Sequence, residues 1–270
     1  MKAAYVARLG GVDALSVGDL QCPERADGET LVRVQAVGLN WLDVLLRTED
    51  FGLAFPHIPG SDVAGIVEET RSPFLKPGDV VVVNPAIPCG SCDGEAANAD
   101  ACKFVRILGV HRPGGYGSFV SVPDDQLYHT PAGMSAAEAA AFPLDYLTAW
   151  RMLVTKADLK PGESVLVWGA TGSLGSAAVA IARSLGAVVI AAAGSRDLAD
   201  GLLAVGAHHV ILYKTEKVEE RVKALTHGVG ADCVFESIGA ATFETSMSAV
   251  RPHGRIVICG TRSGNFANVN

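Results

Sequence analysis

Clustered positive charge is what this sequence most conspicuously lacks. It has no run of five or more basic residues and its formal net charge is −7, so neither nucleic acid nor an anionic membrane has an electrostatic counterpart here. Charge of either sign is scarce: 19% of residues are charged against 49% hydrophobic, which excludes disorder and supplies sizeable cores. The N-terminus, Met1 to Arg8, has no apolar core of signal-peptide length, so export is not indicated and a cytoplasmic protein is expected. From Val165 to Gly194 the chain is nearly free of charge, yet glycines interrupt it and its pattern runs strand, helix, strand. A buried β-α-β unit accounts for that better than a membrane span. Without an export signal, the six cysteines read as a metal cluster in preference to a disulfide framework.

What is present divides the 270 residues into two parts. The first is strand-rich: Thr30 to Val37 and Val63 to Glu69 alternate, and Val80 to Asn84 is a β-branched run. Breaks fall at Pro59-Gly60, Lys76-Pro77-Gly78-Asp79, Pro88-Cys89-Gly90 and Pro113-Gly114-Gly115, and Asn40 to Arg47 reads as a short helix. The second part alternates. Strands at 164–168, 188–192, 209–213, 232–236 and 255–259 are separated by helical patterns, which calls for a parallel, doubly wound sheet. The pattern changes near residues 122–134, so domains of 1–126 and 127–270 are expected.

The strand at 164–168 runs into Gly169-Ala170-Thr171-Gly172-Ser173-Leu174-Gly175 and then an apolar helix. This is the setting that a dinucleotide fingerprint requires, with Ala170 as a variant of the first motif glycine. Gly172 lets backbone approach a pyrophosphate, Gly175 lets helix and strand pack closely, and the helix N-terminus offers free N–H groups. NAD sites usually carry a carboxylate at the end of the second strand. This chain has Gly194-Ser195-Arg196 there, with Asp197 next, so Arg196 is a candidate partner for a 2′-phosphate and NADP is favoured over NAD.

Several motifs in order resemble the medium-chain dehydrogenase/reductase superfamily, in its quinone-oxidoreductase-like, zinc-binding-dehydrogenase branch. They are Gly38-Leu39-Asn40-x-x-Asp43, His57-x-Pro59-Gly60-Ser61-Asp62-Val63-Ala64-Gly65, Lys76-Pro77-Gly78-Asp79, Gly114-Gly115-Tyr116 and Pro143-Leu144-x-Tyr146-Leu147-Thr148-Ala149-Trp150. The resemblance spans essentially the whole chain. It implies a GroES-like β domain followed by a Rossmann domain, with the active site in the cleft between them. It implies Asn40 and Asp43 near the nicotinamide, Thr148 on the cofactor, and Tyr213 near the adenine ribose or 2′-phosphate. Many members carry Lys where this chain has Leu198.

The resemblance also bears on zinc. The three positions that hold a catalytic zinc in alcohol-dehydrogenase relatives correspond to Asn40, Ser61 and Leu144, none a usual ligand, so catalytic zinc is not expected. The structural-zinc lobe of four cysteines corresponds to Cys89-x-x-Cys92-x-x-Glu95 and Cys102. Two readings stay open: a structural zinc with Glu95, Asp93 or Asp100 supplying an oxygen, or three free thiols. The expected reaction is hydride transfer from NADPH to a quinone or α,β-unsaturated carbonyl, with Asn40 hydrogen-bonding the substrate oxygen and Asp43 orienting Asn40 or the ribose. Alternatives are a zinc-dependent alcohol dehydrogenase and a cofactor-binding protein without turnover. Asp145, where an uncharged residue is usual, is expected to start a helix. Relatives continue past the segment matching Gly260 to Gly264, whereas this sequence ends at Asn270. The Rossmann part is therefore expected to be C-terminally shortened, with 255–259 an open edge. A homo-oligomer stays open, its usual pairing strand lacking.

Overall fold

The computed structural model describes residues 1–92, 102–264, 266 and 267. The chain forms two compact units, Met1–Leu144 and Asp145–Asn270.

The first unit is built on antiparallel pairs. β1 (Lys2–Val6) pairs with β2 (Leu15–Asp19). β3 (Glu29–Val37), β4 (Val63–Glu69), β5 (Val80–Val83), β8 (Phe119–Pro123) and β9 (Leu127–His129) form a five-stranded sheet in the order β8-β3-β4-β5-β9. The short pair β6 (Ala86–Ile87) and β7 (Arg106–Ile107) lies between them in sequence. Period-two alternation turns Val32, Val63, Val67, Val81, Val83, Val120 and Val122 into one core. The helix α1 (Trp41–Thr48) follows β3, and α2 (Ala136–Ala140) opens on a reciprocal cap in which Ser135 N–H donates to Glu138 Oε2 (2.8 Å).

The unit extends past the expected boundary at residue 126. β9 hydrogen-bonds to β5, matching Val83 to Leu127, so these residues belong to the antiparallel sheet. Three residues that alternate weakly do not declare their sheet in sequence.

The helix α3 (Pro143–Trp150) leads into the second unit, whose strands are β10 (Ser164–Val167), β11 (Val188–Ala193), β12 (His209–Leu212), β13 (Ala231–Glu236) and β14 (Val250–Ile258). All pairs are parallel, in the order β12-β11-β10-β13-β14. The helices α4 (Ser173–Ser184), α5 (Ala199–Val205), α6 (Val218–Leu225) and α7 (Ala240–Ala249) connect them. β10 is buried at all four residues because both sheet faces are covered. One face packs Val165 and Val167 with Ala178 and Ala182; the other packs Leu166 with Ile190, Val222 and Val234. The order reverses between β10 and β13, which makes their C-terminal ends the place where such sheets bind ligands.

At the sheet's end among the described residues stands β14, with Ile258 and Met247 about half exposed. It begins earlier than expected, at Val250, because Ala231 pairs with Val250 before a register shift carries Cys233 to Arg255. Among the described residues no helix is long and apolar enough to cross a membrane.

Candidate functional site

The glycine turn brings α4 close against the end of β10, as its spacing predicts. Gly169 turns with φ of +63°, and a Cβ on Gly175 would lie 2.1 Å from the Gly169 carbonyl oxygen, so only glycine allows α4 to sit this close to the end of β10. Gly172 differs: a Cβ there would meet only the Gly169 oxygen, at 3.4 Å, and its other side is open. Thr171, Gly172 and Ser173 are exposed, Leu174 is half-buried, and α4 begins at Ser173. An open glycine at the N-terminus of a 12-residue helix is a cradle that fits a diphosphate.

The end of β11 lies at the same edge of the sheet. Ser195 is half-buried there and Arg196 is exposed, with no carboxylate in the strand itself. The Tyr213 hydroxyl lies 2.7 Å from where a Cβ on Gly194 would be, and its ring meets that of Trp168, centroids 6.0 Å apart. Tyr213 thus borders the strand end beside Ser195, while Thr148 is half-buried on α3. Asp145 stands in the first turn of α3, as expected of a helix-starting acid. Burial pushes its carboxyl upward, opposed by a hydrogen bond with the Ser173 side chain.

In the first unit, Asn40 and Asp43 meet at the start of α1, with Asn40 as the cap. The Asn40 backbone N–H donates to Asp43 Oδ2 (2.8 Å), which also accepts from the Tyr116 hydroxyl (3.2 Å), while Asp43 Oδ1 accepts from Gly60 N–H (3.0 Å). The Asn40 amide nitrogen has a different partner: Nδ2 donates to Asp62 Oδ2 (2.8 Å), and Asp62 Oδ1 accepts from Leu144 N–H (2.8 Å). Asp43 therefore holds the Asn40 backbone, and Asp62 orients its amide. All three are buried. Burial raises the Asp43 carboxyl above the usual range, against the lowering effect of its three donors. Burial and the neighbouring Asp43 charge push the Tyr116 phenol upward.

Asp62 and Tyr116 were not singled out as site residues from sequence, although each lies inside a quoted motif. Spacing identifies a motif but not which of its side chains turn towards one another.

Of the other two positions aligned with catalytic-zinc ligands, the Ser61 hydroxyl donates to the Leu108 carbonyl (2.8 Å) and Leu144 offers its backbone N–H. His57 Nε2 is hydrogen-bonded to the Gly109 carbonyl (2.8 Å), as a loop histidine would be.

Cys89, Cys92 and Cys102 do come together, their sulfurs all within 4.8 Å of one another. The Cys89 and Cys92 sulfurs are 3.3 Å apart, those of Cys92 and Cys102 4.0 Å, and Cys89 N–H donates to the Cys102 sulfur (3.4 Å). Three sulfurs so spaced fit three corners of a tetrahedral zinc site. Glu95, Asp93 and Asp100, the oxygen candidates for the fourth corner, lie outside the described residues. Hydrogen bonds from the hydroxyl and amide of Ser91 draw the Cys89 thiol down to about 6.

Residues 26–132 match the alcohol dehydrogenase GroES-like domain, and residues 173–269 match the zinc-binding dehydrogenase domain. The chain is 29% identical to a quinone oxidoreductase of Homo sapiens over 268 residues, which covers 97% of this chain and 74% of that protein. A crystal structure described as an NAD-dependent alcohol dehydrogenase superposes with a TM-score of 0.93 at 39% identity, over 98% of this chain and 79% of the other. A mycobacterial protein complexed with NADPH superposes with a TM-score of 0.83 at 27% identity, over 100% of this chain and 77% of the other.

Proposed function

The chain belongs to the medium-chain dehydrogenase/reductase superfamily, in its quinone-oxidoreductase-like, zinc-binding-dehydrogenase branch of NAD(P)-dependent oxidoreductases, and on that premise we propose that it reduces quinones or α,β-unsaturated carbonyls with NADPH and without a catalytic zinc. The observation that carries the reading is the set Asn40, Ser61 and Leu144: an amide committed to Asp62, a hydroxyl committed to a carbonyl, and a hydrocarbon side chain. That donor set does not fit a zinc Lewis acid. A substrate that spreads developing negative charge through its own conjugation, as quinones and enones do, has least need of one.

Bound NADPH would supply a hydride to the electron-poor carbon, leaving NADP, and the enolate or quinol oxygen takes its proton from solvent or a nearby hydroxyl. Asn40 has two N–H bonds on Nδ2; Asp62 takes one, and the second donates to the substrate oxygen as charge builds there. Asp43 keeps Asn40 at the start of α1, with Tyr116 as the third member of the set. On the cofactor side, Gly172 and the N-terminus of α4 receive the diphosphate, with Thr148 as a further contact. Ser195, Arg196 and Tyr213 receive the ribose and its 2′-phosphate. Support for NADPH is the guanidinium of Arg196 where a carboxylate would favour NADH, together with the NADPH complex of the mycobacterial relative. The three cysteines would hold a structural zinc, separate from the reaction.

The test is a calorimetric titration of NADPH against NADH, followed by turnover on a panel of quinones and enals. NADPH should bind more tightly, and Arg196→Ala should erase about tenfold of that preference, the weight of one charge-assisted contact. Asn40→Ala should lower kcat by about 10²-fold while leaving the Kd for NADPH unchanged. Turnover of simple alcohols that depends on added zinc would defeat the reading.

A further inference from the structure

The most completely buried carboxylate of the second unit belongs to a residue that no part of the proposed reaction uses. Glu236 ends β13 and is 0% exposed. Burying a carboxylate is costly unless its lone pairs are taken up, and here they are, by uncharged donors. Oε1 accepts from the backbone N–H of Ile238 (2.8 Å) and of Gly239 (3.1 Å). Oε2 accepts from the Ser246 hydroxyl (2.7 Å), and the Thr242 hydroxyl lies 2.9 Å from each oxygen. Ser246, itself 0% exposed, accepts from Trp168 Nε1 (2.8 Å). The indole has only a proton to give, so the direction of the chain follows: Trp168 donates to Ser246, and Ser246 to Glu236.

These bonds have a spatial consequence. The 237–239 loop anchored by these two N–H groups also meets the nucleotide turn. Ser237 Oγ donates to the Trp168 carbonyl (3.2 Å), one residue before Gly169. A Cβ on Gly169 would lie 2.7 Å from Ser237 Oγ and 3.2 Å from the end of Ile238. The loop therefore closes on the glycine turn along the reversal between β10 and β13. In sheets of this order a dinucleotide crosses that line, with its first half over β11 and its second towards β13.

We propose that Glu236 is a positioning residue for the cofactor: by holding the Ser237–Gly239 loop against Gly169, it sets the wall along which the nicotinamide half of the dinucleotide lies. The proposal rests on the reading of Gly169 to Gly175 as a dinucleotide site.

Two ligands distinguish this role from a merely structural one. NADPH spans both halves of the site, whereas 2′-phospho-ADP-ribose lacks the nicotinamide. In Glu236→Ala the Kd for NADPH should rise on the order of tenfold, as expected for losing about one net hydrogen bond's worth of organisation. The Kd for the truncated ligand should stay within about twofold of wild type. Glu236→Gln keeps an oxygen for the two backbone N–H groups and should restore NADPH binding. Should Glu236→Ala fail to fold, Ser246→Ala removes one donor to Oε2 and should show the same asymmetry in weaker form. Equal loss for both ligands, no loss for either, or a Gln variant as impaired as the Ala variant would overturn the proposal. A wild-type chain that binds neither ligand overturns the dinucleotide reading itself, before any variant is compared.

Discussion

The polar centre around Asn40 and the glycine turn at Gly169 solve opposite problems. The first holds side chains in place with other side chains: Asp43 accepts from Asn40, Gly60 and Tyr116, and Asp62 from Asn40 and Leu144. The second works by leaving side chains out, so that backbone meets backbone between Gly175 and Gly169 and stays open at Gly172. A network of donors and acceptors is specified by partners far apart in sequence, here 17 and 73 residues from Asp43 and 82 from Asp62. A steric gap is specified by local spacing alone.

On that contrast, the largest effect comes from filling the gap. Gly175→Val puts branched carbons where a single Cβ already lies 2.1 Å from backbone oxygen, and α4 cannot move without unpacking the sheet. Dinucleotide binding should fall below detection by calorimetry, with the second unit destabilised. Gly172→Ala is the control, since its Cβ at 3.4 Å is tolerable. Its melting temperature should stay within about 3 °C of wild type while affinity falls. Equal damage from both variants would break the comparison.

An intermediate effect is expected in the first unit. Asp43→Ala strands the N–H of Asn40, the N–H of Gly60 and the Tyr116 hydroxyl in a buried site, at a cost of about 2–4 kcal/mol. Urea unfolding should report that loss while cofactor affinity is unchanged. A loss confined to affinity would mean that Asp43 serves the ligand and not the α1 entry.

The smallest effect concerns pH and sharpens the contrast within the first unit. Burial pushes Glu29 upward, but the paired bonds from Arg112 (2.8 and 3.0 Å) and the Ser121 hydroxyl (2.6 Å) outweigh it and hold the carboxyl below its usual range. A folded value below the unfolded one means that the unfolded chain takes up the proton first. This contribution is therefore complete above about pH 4.5 and fades as pH falls further. Asp43, raised in the fold, contributes with the opposite sign, its part lost as pH rises through the carboxylate range. Glu29→Gln should be less stable than wild type at pH 7 and lose less on acidification. Parallel acid titrations of the two proteins would show the curves converging.

Much of the second unit was legible in sequence because its signals are local. Four-residue β10, buried on both faces, reads as a continuous apolar run, and the glycine spacing after it predicts the turn. The first unit was less legible. β9 has three residues and declares its place only by pairing with β5, which carried the compact unit past the expected boundary. Three cysteines suggested a cluster, and the fold brings their sulfurs within reach of one ion.

By itself the sequence determined the parallel sheet and the tight glycine turn, because both follow from residue spacing along the chain, and its motifs carried the resemblance to the family. Tertiary structure alone decided that Asp62, not Asp43, directs the Asn40 amide. It likewise decided that Glu236 gathers the donors of a loop, a helix and, through Ser246, a neighbouring strand end. The reason is physical: a glycine's effect depends on the backbone it sits in, whereas a buried carboxylate's depends on which donors the rest of the fold delivers to it.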